Sequence, residues 1–376
     1  MTLQAPSKHA LSLLADIASL THGFENGLDG SREGLLNACS SLISELRNPS
    51  ENMTHLIWAQ PTHLNAIWMS VEVGLFEALA DGPESGASLA DITKRCNKDI
   101  DAIMVGRMLR HLASMGTVRE TGPGMFAPTP TSLAFAEKQY QDSILFMAQD
   151  FQPVLQRLPS YFQQRKFKAP DSGLDCPFQH NFDCKGTNTF EYFATHNPEM
   201  ARRFASMMQC WSTGSPRWFH TDYYPVQDRL LTGARPDTPF LVDIGGGAGQ
   251  DIEGLRLDFG SKLPGPLILQ DRPEVVALAH LGPGAQSMAH DFFKPQPVAG
   301  ARAYLLHSII HDWNDDVAAD IIKAIVPAME RGYSKLLVHE VVFPNHGAHW
   351  LQSKCSVLFP PPLPPPPCMY PFVGVT

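Results

Sequence analysis

Phe240-Leu241-Val242-Asp243-Ile244-Gly245-Gly246-Gly247-Ala248-Gly249 reads as a buried strand that runs into a glycine-rich turn and then a helix. Glycines there let the backbone bend sharply and let a ligand lie against bare main chain. Their spacing is G-x-G-x-G, not the G-x-G-x-x-G of dinucleotide sites, and the turn alone leaves the ligand open.

Downstream, apolar runs at 266–270, 285–290, 304–306 and 335–339 alternate with helical segments. That alternation predicts an α/β domain built on a parallel sheet. Asp271 ends the second run, where an acid can accept both hydroxyls of a ribose, a rule common to NAD enzymes and methyltransferases. Asp291-Phe292 closes the third, where a carboxylate can accept adenine amino protons while the ring packs on the base. Either acid taken singly reads equally well as a solvated turn residue; following the glycine turn in register, both read as ligand contacts.

His307-Ser308-Ile309-Ile310-His311-Asp312-Trp313-Asn314-Asp315-Asp316 follows the fourth run and enters a helix capped by Asn314. Ligands of open α/β sheets sit at this carboxyl edge. A histidine here has a pKa suited to taking a proton from a phenol, whose own pKa of about 10 makes it a poor nucleophile until deprotonated. Glu340, ending the fifth run, is placed to fix the tautomer of such a base. His307, His311, His339, His346 and His349 do not combine a His-x-x-x-His pair with a good third ligand, so no metal is expected.

Upstream, Leu64, Ile67, Trp68, Val71, Leu75, Phe76 and Leu79 predict one helix over 62–79, stopped at Asp81-Gly82. Ser88 starts a second helix, and a third carries Ile103, Met108, Leu109 and Leu112. The Gly122-Pro123-Gly124 turn then joins two short strands. Three helices and a two-stranded wing make a winged-helix pattern over 56–136. Such a module binds DNA or serves dimerisation. The net charge of -9 weighs against nucleic acid. Trp68 and Phe76 exceed what a small winged helix needs to bury, which points to a homodimer. Residues 151–184 read as a connector, partly helical and partly a lid, and helical spacing resumes over 190–211.

The 376 residues suffice for two ordinary domains, and 44% hydrophobic with 18% charged residues is a globular composition. No run of eighteen apolar residues suggests a membrane span. The first twenty residues read as an amphipathic helix, not a signal peptide. Seven scattered cysteines without a Cys-x-x-Cys pair fit a reduced, cytoplasmic setting.

Val242 to Gly247, Asp271, Asp291-Phe292 and His311-Asp312-Trp313, in that order, resemble the plant and fungal S-adenosylmethionine-dependent O-methyltransferases, above all those acting on fungal aromatic polyketides. The likeness runs from about residue 56 to 344. It implies a Rossmann-like class I methyltransferase sheet behind a helical winged-helix dimerisation domain. It also implies that Gly245, Gly246, Asp271, Asp291 and Phe292 bind S-adenosylmethionine. His311 would be the base, with Glu340 as one of two acids bracketing it. His307 stands where plant members place a cofactor-contacting lysine. Met208 and Asp312 would lie on the side of a phenolic or polyketide acceptor. The division expected is 1–140 for dimerisation, 141–235 for connector and substrate-lining helices, 236–350 for cofactor binding, and 351–376 for a tail.

That tail departs from the family. Pro360 to Pro362 and Pro364 to Pro367 offer no N–H to helix or sheet, and no acid follows Glu340. It reads as translated intron or a frameshift, with a ligand for an SH3-type domain as the functional alternative. The expected sheet lacks its last strands, leaves the run 335–339 as an open apolar edge, and suits a member that binds cofactor or dimerises without turnover.

Overall fold

The computed structural model describes residues 7–28, 30–170, 172–211, 217–220, 223–340 and 373–375. The chain forms two compact units, residues 1–136 and 137–376.

In the first unit, helices Lys8–Glu25 and Ser31–Leu46 make a hairpin that packs chiefly on itself. Asn48 and Glu51 form a reciprocal capping box that launches helix Pro49–Thr54, which widens into an i→i+5 turn at His55–Ala59. The single helix predicted over 62–79 is two, Gln60–Glu72 and Leu75–Ala80. Gly74 between them takes a left-handed φ of +68°, which continues the apolar periodicity while bending the chain. Phe76 is not surplus to the core as expected: it is fully buried, edge-on to Phe135 at 5.3 Å. Large apolar side chains lie exposed instead at Leu56, Ile57 and Trp58, at 58%, 66% and 70%.

Helices Leu89–Arg95 and Ala102–Ser114 follow, capped by Ser88 and Asp101. The strands β1 (Ala87–Ser88), β2 (Arg119–Gly122) and β3 (Met125–Ala127) form an antiparallel wing in the order β1-β3-β2. Leu75, Phe76, Ile92, Leu109, Leu112 and Phe126 form this unit's core.

The second unit begins with helices. The stretch read as a connector contains helix Gln152–Gln164, with Pro159 inside it, and Pro177–Phe182. Phe146, Phe178 and Phe193 pack with Met200 into an aromatic cluster against helix Pro198–Trp211. Asp142, buried there, is held by Arg202, Lys138 and Ser206.

The sheet follows with β4 (Leu241–Ile244), β5 (Leu267–Asp271), β6 (Ala285–Ala289), β7 (Ala303–His307), β8 (Lys335–His339) and β9 (Val373–Val375). Among the described residues its order is β6-β5-β4-β7-β8-β9, parallel except for the last pair. Alternate residues bury opposite faces, as a doubly covered parallel sheet requires. Leu241, Leu267, Leu269, Leu305 and Leu337 pack with Trp218, Leu230 and Leu255 on one side. Val242, Ile268, Tyr304 and Leu336 pack with Ile321 and Ile325 on the other.

Arg302 anchors the start of β7. Its guanidinium donates to the carbonyls of Arg229, Leu230, Thr232 and Tyr333, at 2.7–3.0 Å. These free carbonyls close the turn Gln227–Leu231, and the planar fork of arginine can meet several at once.

The open edge expected on β8 is corrected. β9 pairs with it antiparallel, Leu336 opposite Val375 and Val338 opposite Val373. The expectation followed from the prolines, which have no N–H to give; the valines beyond them do. Residues 341–372, which contain His346, His349 and the proline run, lie outside the described residues.

Candidate active site

The turn after β4 is shaped by missing side chains. Gly245 donates its N–H to Gln270 O at 2.8 Å, with φ at +73°. A Cβ there would come within 2.5 Å of Ile309 Cδ1. At Gly246 a Cβ would meet Asp243 Oδ2 at 2.4 Å and Leu269 Cδ1 at 2.6 Å. The chain is thus pressed onto its own core and leaves a bare backbone cradle. Asp243 lies fully buried beneath it, and among the described residues neither carboxyl oxygen has a hydrogen-bond partner. Burial, with Asp251 and Asp271 nearby, pushes its pKa well above the carboxylate range and favours the neutral form.

Asp271, ending β5, fastens the cradle. Its Oδ2 accepts from Gly247 N at 2.9 Å and its Oδ1 from Arg272 N at 2.7 Å. Burial raises its pKa despite those two hydrogen bonds. Each carboxylate oxygen retains a second acceptor direction. Asp291, exposed after β6, caps its own turn through Phe293 N at 3.0 Å. The Phe292 ring stands edge-on to Trp313 with centroids 6.0 Å apart, and Phe293 does so at 4.9 Å. The Trp of the His-Asp-Trp stretch therefore packs against the Phe292 loop.

β7 ends in a second, different turn. Ser308 adopts a left-handed φ of +56°, unusual for a residue with a side chain, and donates its N–H to His339 O at 2.9 Å. The chain then tightens into the turn Ile310–Asp312. Glu340, following β8, holds that turn from the neighbouring strand. Its Oε1 accepts from Ile309 N at 2.9 Å and Ile310 N at 2.7 Å, while Oε2 lies 2.6 Å from His311 Nδ1. His311 keeps 42% of its side chain accessible, with Nε2 3.5 Å from Asp312 Oδ1. Burial lowers the His311 pKa, but the hydrogen bond to Glu340 and the charges of Asp312 and Glu340 outweigh it and raise it. Burial lifts Asp312 to about 6, against the pull of His311.

The structure therefore brings His311, Glu340 and Asp312 together at one end of the edge, and Gly245, Gly246 and Asp271 at the other. Met208 stands in a different neighbourhood, half-buried on helix Pro198–Trp211 beside Met207, which packs on the aromatic cluster. His307 is paired, as the sequence reading did not foresee, with Asp251 through Nδ1. The His339 ring lies against it at 4.1 Å. A faint signal existed for Asp251: it follows the last glycine of the turn by two residues, in the first turn of helix Gln250–Phe259. Among the described residues, no group of three His, Cys, Asp or Glu side chains is arranged to hold a metal ion.

An O-methyltransferase domain family matches residues 166–359, and an O-methyltransferase dimerisation domain family matches residues 63–138. The chain belongs to the O-methyltransferase family. This O-methyltransferase is 36% identical over 88% of its length to O-methyltransferase mpaG of Penicillium brevicompactum, of which it spans 83%. It is 33% identical over 77% of its length to demethylsterigmatocystin 6-O-methyltransferase of Aspergillus parasiticus, spanning 72% of it. Its structure is similar to that of LepI in complex with SAM, with a TM-score of 0.79 and 25% identity over 94% of this chain and 91% of that one. The enzyme is an S-adenosylmethionine-dependent O-methyltransferase of the fungal secondary-metabolic kind. The domain match reaches Phe359, past residue 344 where the motif likeness ended, and stops at the prolines.

Proposed function

We propose that this enzyme methylates a phenolic oxygen of an aromatic, polyketide-like acceptor, with His311 as general base. The observation that carries the reading is the clamp on His311. Glu340 is fixed by two backbone N–H groups of the very turn that bears the ring, and its free oxygen takes Nδ1 at 2.6 Å. Nε2 is left for the acceptor. A carboxylate so placed sets the tautomer and stabilises the imidazolium once the proton arrives at Nε2. Asp312, near the same nitrogen, orients the acceptor hydroxyl in its ionised form. Met208 contributes an apolar contact to the acceptor ring.

The cradle fits S-adenosylmethionine because a Cβ at Gly245 or Gly246 would collide with core side chains, so the backbone there is kept bare. Asp271 would hold the ribose, and Asp291 with Phe292 the adenine. When bound, the cofactor supplies a methyl group already activated on sulfonium. The protein's share is to orient the phenol, exclude water and accept its proton.

The test is methyl transfer to a panel of phenols and aromatic polyketides, by wild type and His311→Ala. The variant is expected to lose about 10²–10⁴-fold in kcat with cofactor affinity unchanged. Full kcat at neutral pH in the variant would remove His311 from the role of base. Cofactor binding without turnover on any acceptor would favour the member impaired in catalysis. The dimerisation-domain match and the exposed Leu56, Ile57 and Trp58 support a homodimer, for which light scattering at micromolar concentration is the check.

A further inference from the structure

The strand order fixes a sequence of groups along the sheet's carboxyl edge. Asp291 and Phe292 follow β6, Asp271 ends β5, the glycine turn follows β4, His307 ends β7, and Glu340 with His311 lies at β8. Neighbouring strands lie about 4.8 Å apart, so His307 sits roughly 10 Å along the edge from Asp271. If adenine and ribose take the β6 and β5 positions, as proposed above, the sulfonium must face His311. The amino-acid end of the cofactor then falls between the glycine turn and β7.

That place is furnished. Asp251 stands in the first turn of the helix that the glycine turn launches, and its Oδ2 engages His307 Nδ1. His307 and His339 are register partners on β7 and β8, and their rings lie 4.1 Å apart with a tilt of 34°. Burial, with His307 beside it, pushes His339 down to about 4, so it backs the first ring as a neutral plate at physiological pH. The His307 side chain keeps 29% of its accessibility and Asp251 only 17%. With Nδ1 taken, Nε2 is the ring nitrogen left for a ligand.

We propose that Asp251 and His307 form the seat for the charged amino-acid end of the cofactor. His307 binds it through Nε2, and Asp251 is a positioning residue that acts only through the ring. This inference rests on the adenine and ribose assignment, and the experiment separates the two.

Calorimetry compares S-adenosylhomocysteine with 5′-methylthioadenosine, which keeps the nucleoside and thioether but has no amino-acid group. Asp251→Asn and His307→Gln are each expected to weaken S-adenosylhomocysteine about tenfold or more. Both should leave methylthioadenosine within about twofold, which also reports an intact fold. The double variant should bind no more weakly than His307→Gln alone, as expected when one residue acts through the other. Asp271→Ala should weaken both ligands. Equal weakening of the two ligands by Asp251→Asn and His307→Gln, or no weakening of either, overturns the seat. Asp271→Ala without effect, beside selective loss in Asp251→Asn, would remove the ribose assignment and leave the seat standing.

Discussion

The turns after β4 and β7 lie on adjacent strands of one sheet and are built by opposite means. The first is made of backbone: four glycines, three of them with positive φ, and a core rising close enough to forbid a Cβ at Gly246. The second is made of side chains reaching across strands. Glu340 grips Ile309, Ile310 and His311, and Asp251 grips His307. A backbone cradle offers shape to whatever cofactor fits it. A side-chain clamp offers a proton acceptor whose pKa its partners set. Binding and chemistry therefore fail separately when each is disturbed.

Breaking the clamp should cost the most after loss of His311 itself. Glu340→Gln removes the charge that raises the His311 pKa while keeping the side chain's shape. A base works unprotonated, so the wild-type rate should rise with pH through a value above the ordinary histidine pKa of about 6.5. In Glu340→Gln, kcat should fall on the order of 10–100-fold and that rising limb should move to lower pH. An unmoved limb would separate Glu340 from the titration of the base.

Gly246→Ala tests the other turn. The added methyl meets Asp243 and Leu269, so the turn must lift, and the cost should be about 1–3 kcal/mol of stability with weakened cofactor binding. Among molecules that still bind cofactor, kcat should change little. Equal loss of kcat and affinity would mean that the two turns do not divide the work.

The smallest effect is expected at Asp312, whose carboxyl is lifted to about 6 by burial. The folded chain then holds a proton that the unfolded chain has released between about pH 4 and 6, so stability falls as pH rises through that window. Asp312→Asn does not titrate there. Its melting temperature should gain on wild type at pH 8 and match it at pH 4.

How far the sequence revealed each turn follows from how each is built. Glycines in a row after Phe240 to Ile244 announce the cradle, because backbone geometry is a local matter and glycine is its local sign. The strand positions were legible for the same reason: alternating burial repeats every two residues. The clamp was half legible. Glu340 and His311 could be paired because each follows a strand and those strands neighbour one another. Asp251 could not be paired with His307 from spacing, since the contact joins a helix start to a strand end 56 residues later. The helix break at Gly74 was hidden because the apolar period runs on through it. The pairing of β8 was hidden because eye and rule alike stop at Pro360, while the partner comes after the prolines.

Arg302 gives β7 a fixed foot. The strand is about 16 Å long from there to His307, so it behaves as a pointer with one end bolted down. A swing of about 5° at the foot would carry the tip more than an ångström, about the misplacement that costs an enzyme 10²-fold in rate. Four carbonyls on one guanidinium thus set the aim of a ring at the strand's far end, and lysine, with one small head, could not hold all four. Accuracy at the reacting end of this enzyme begins at the end where nothing reacts.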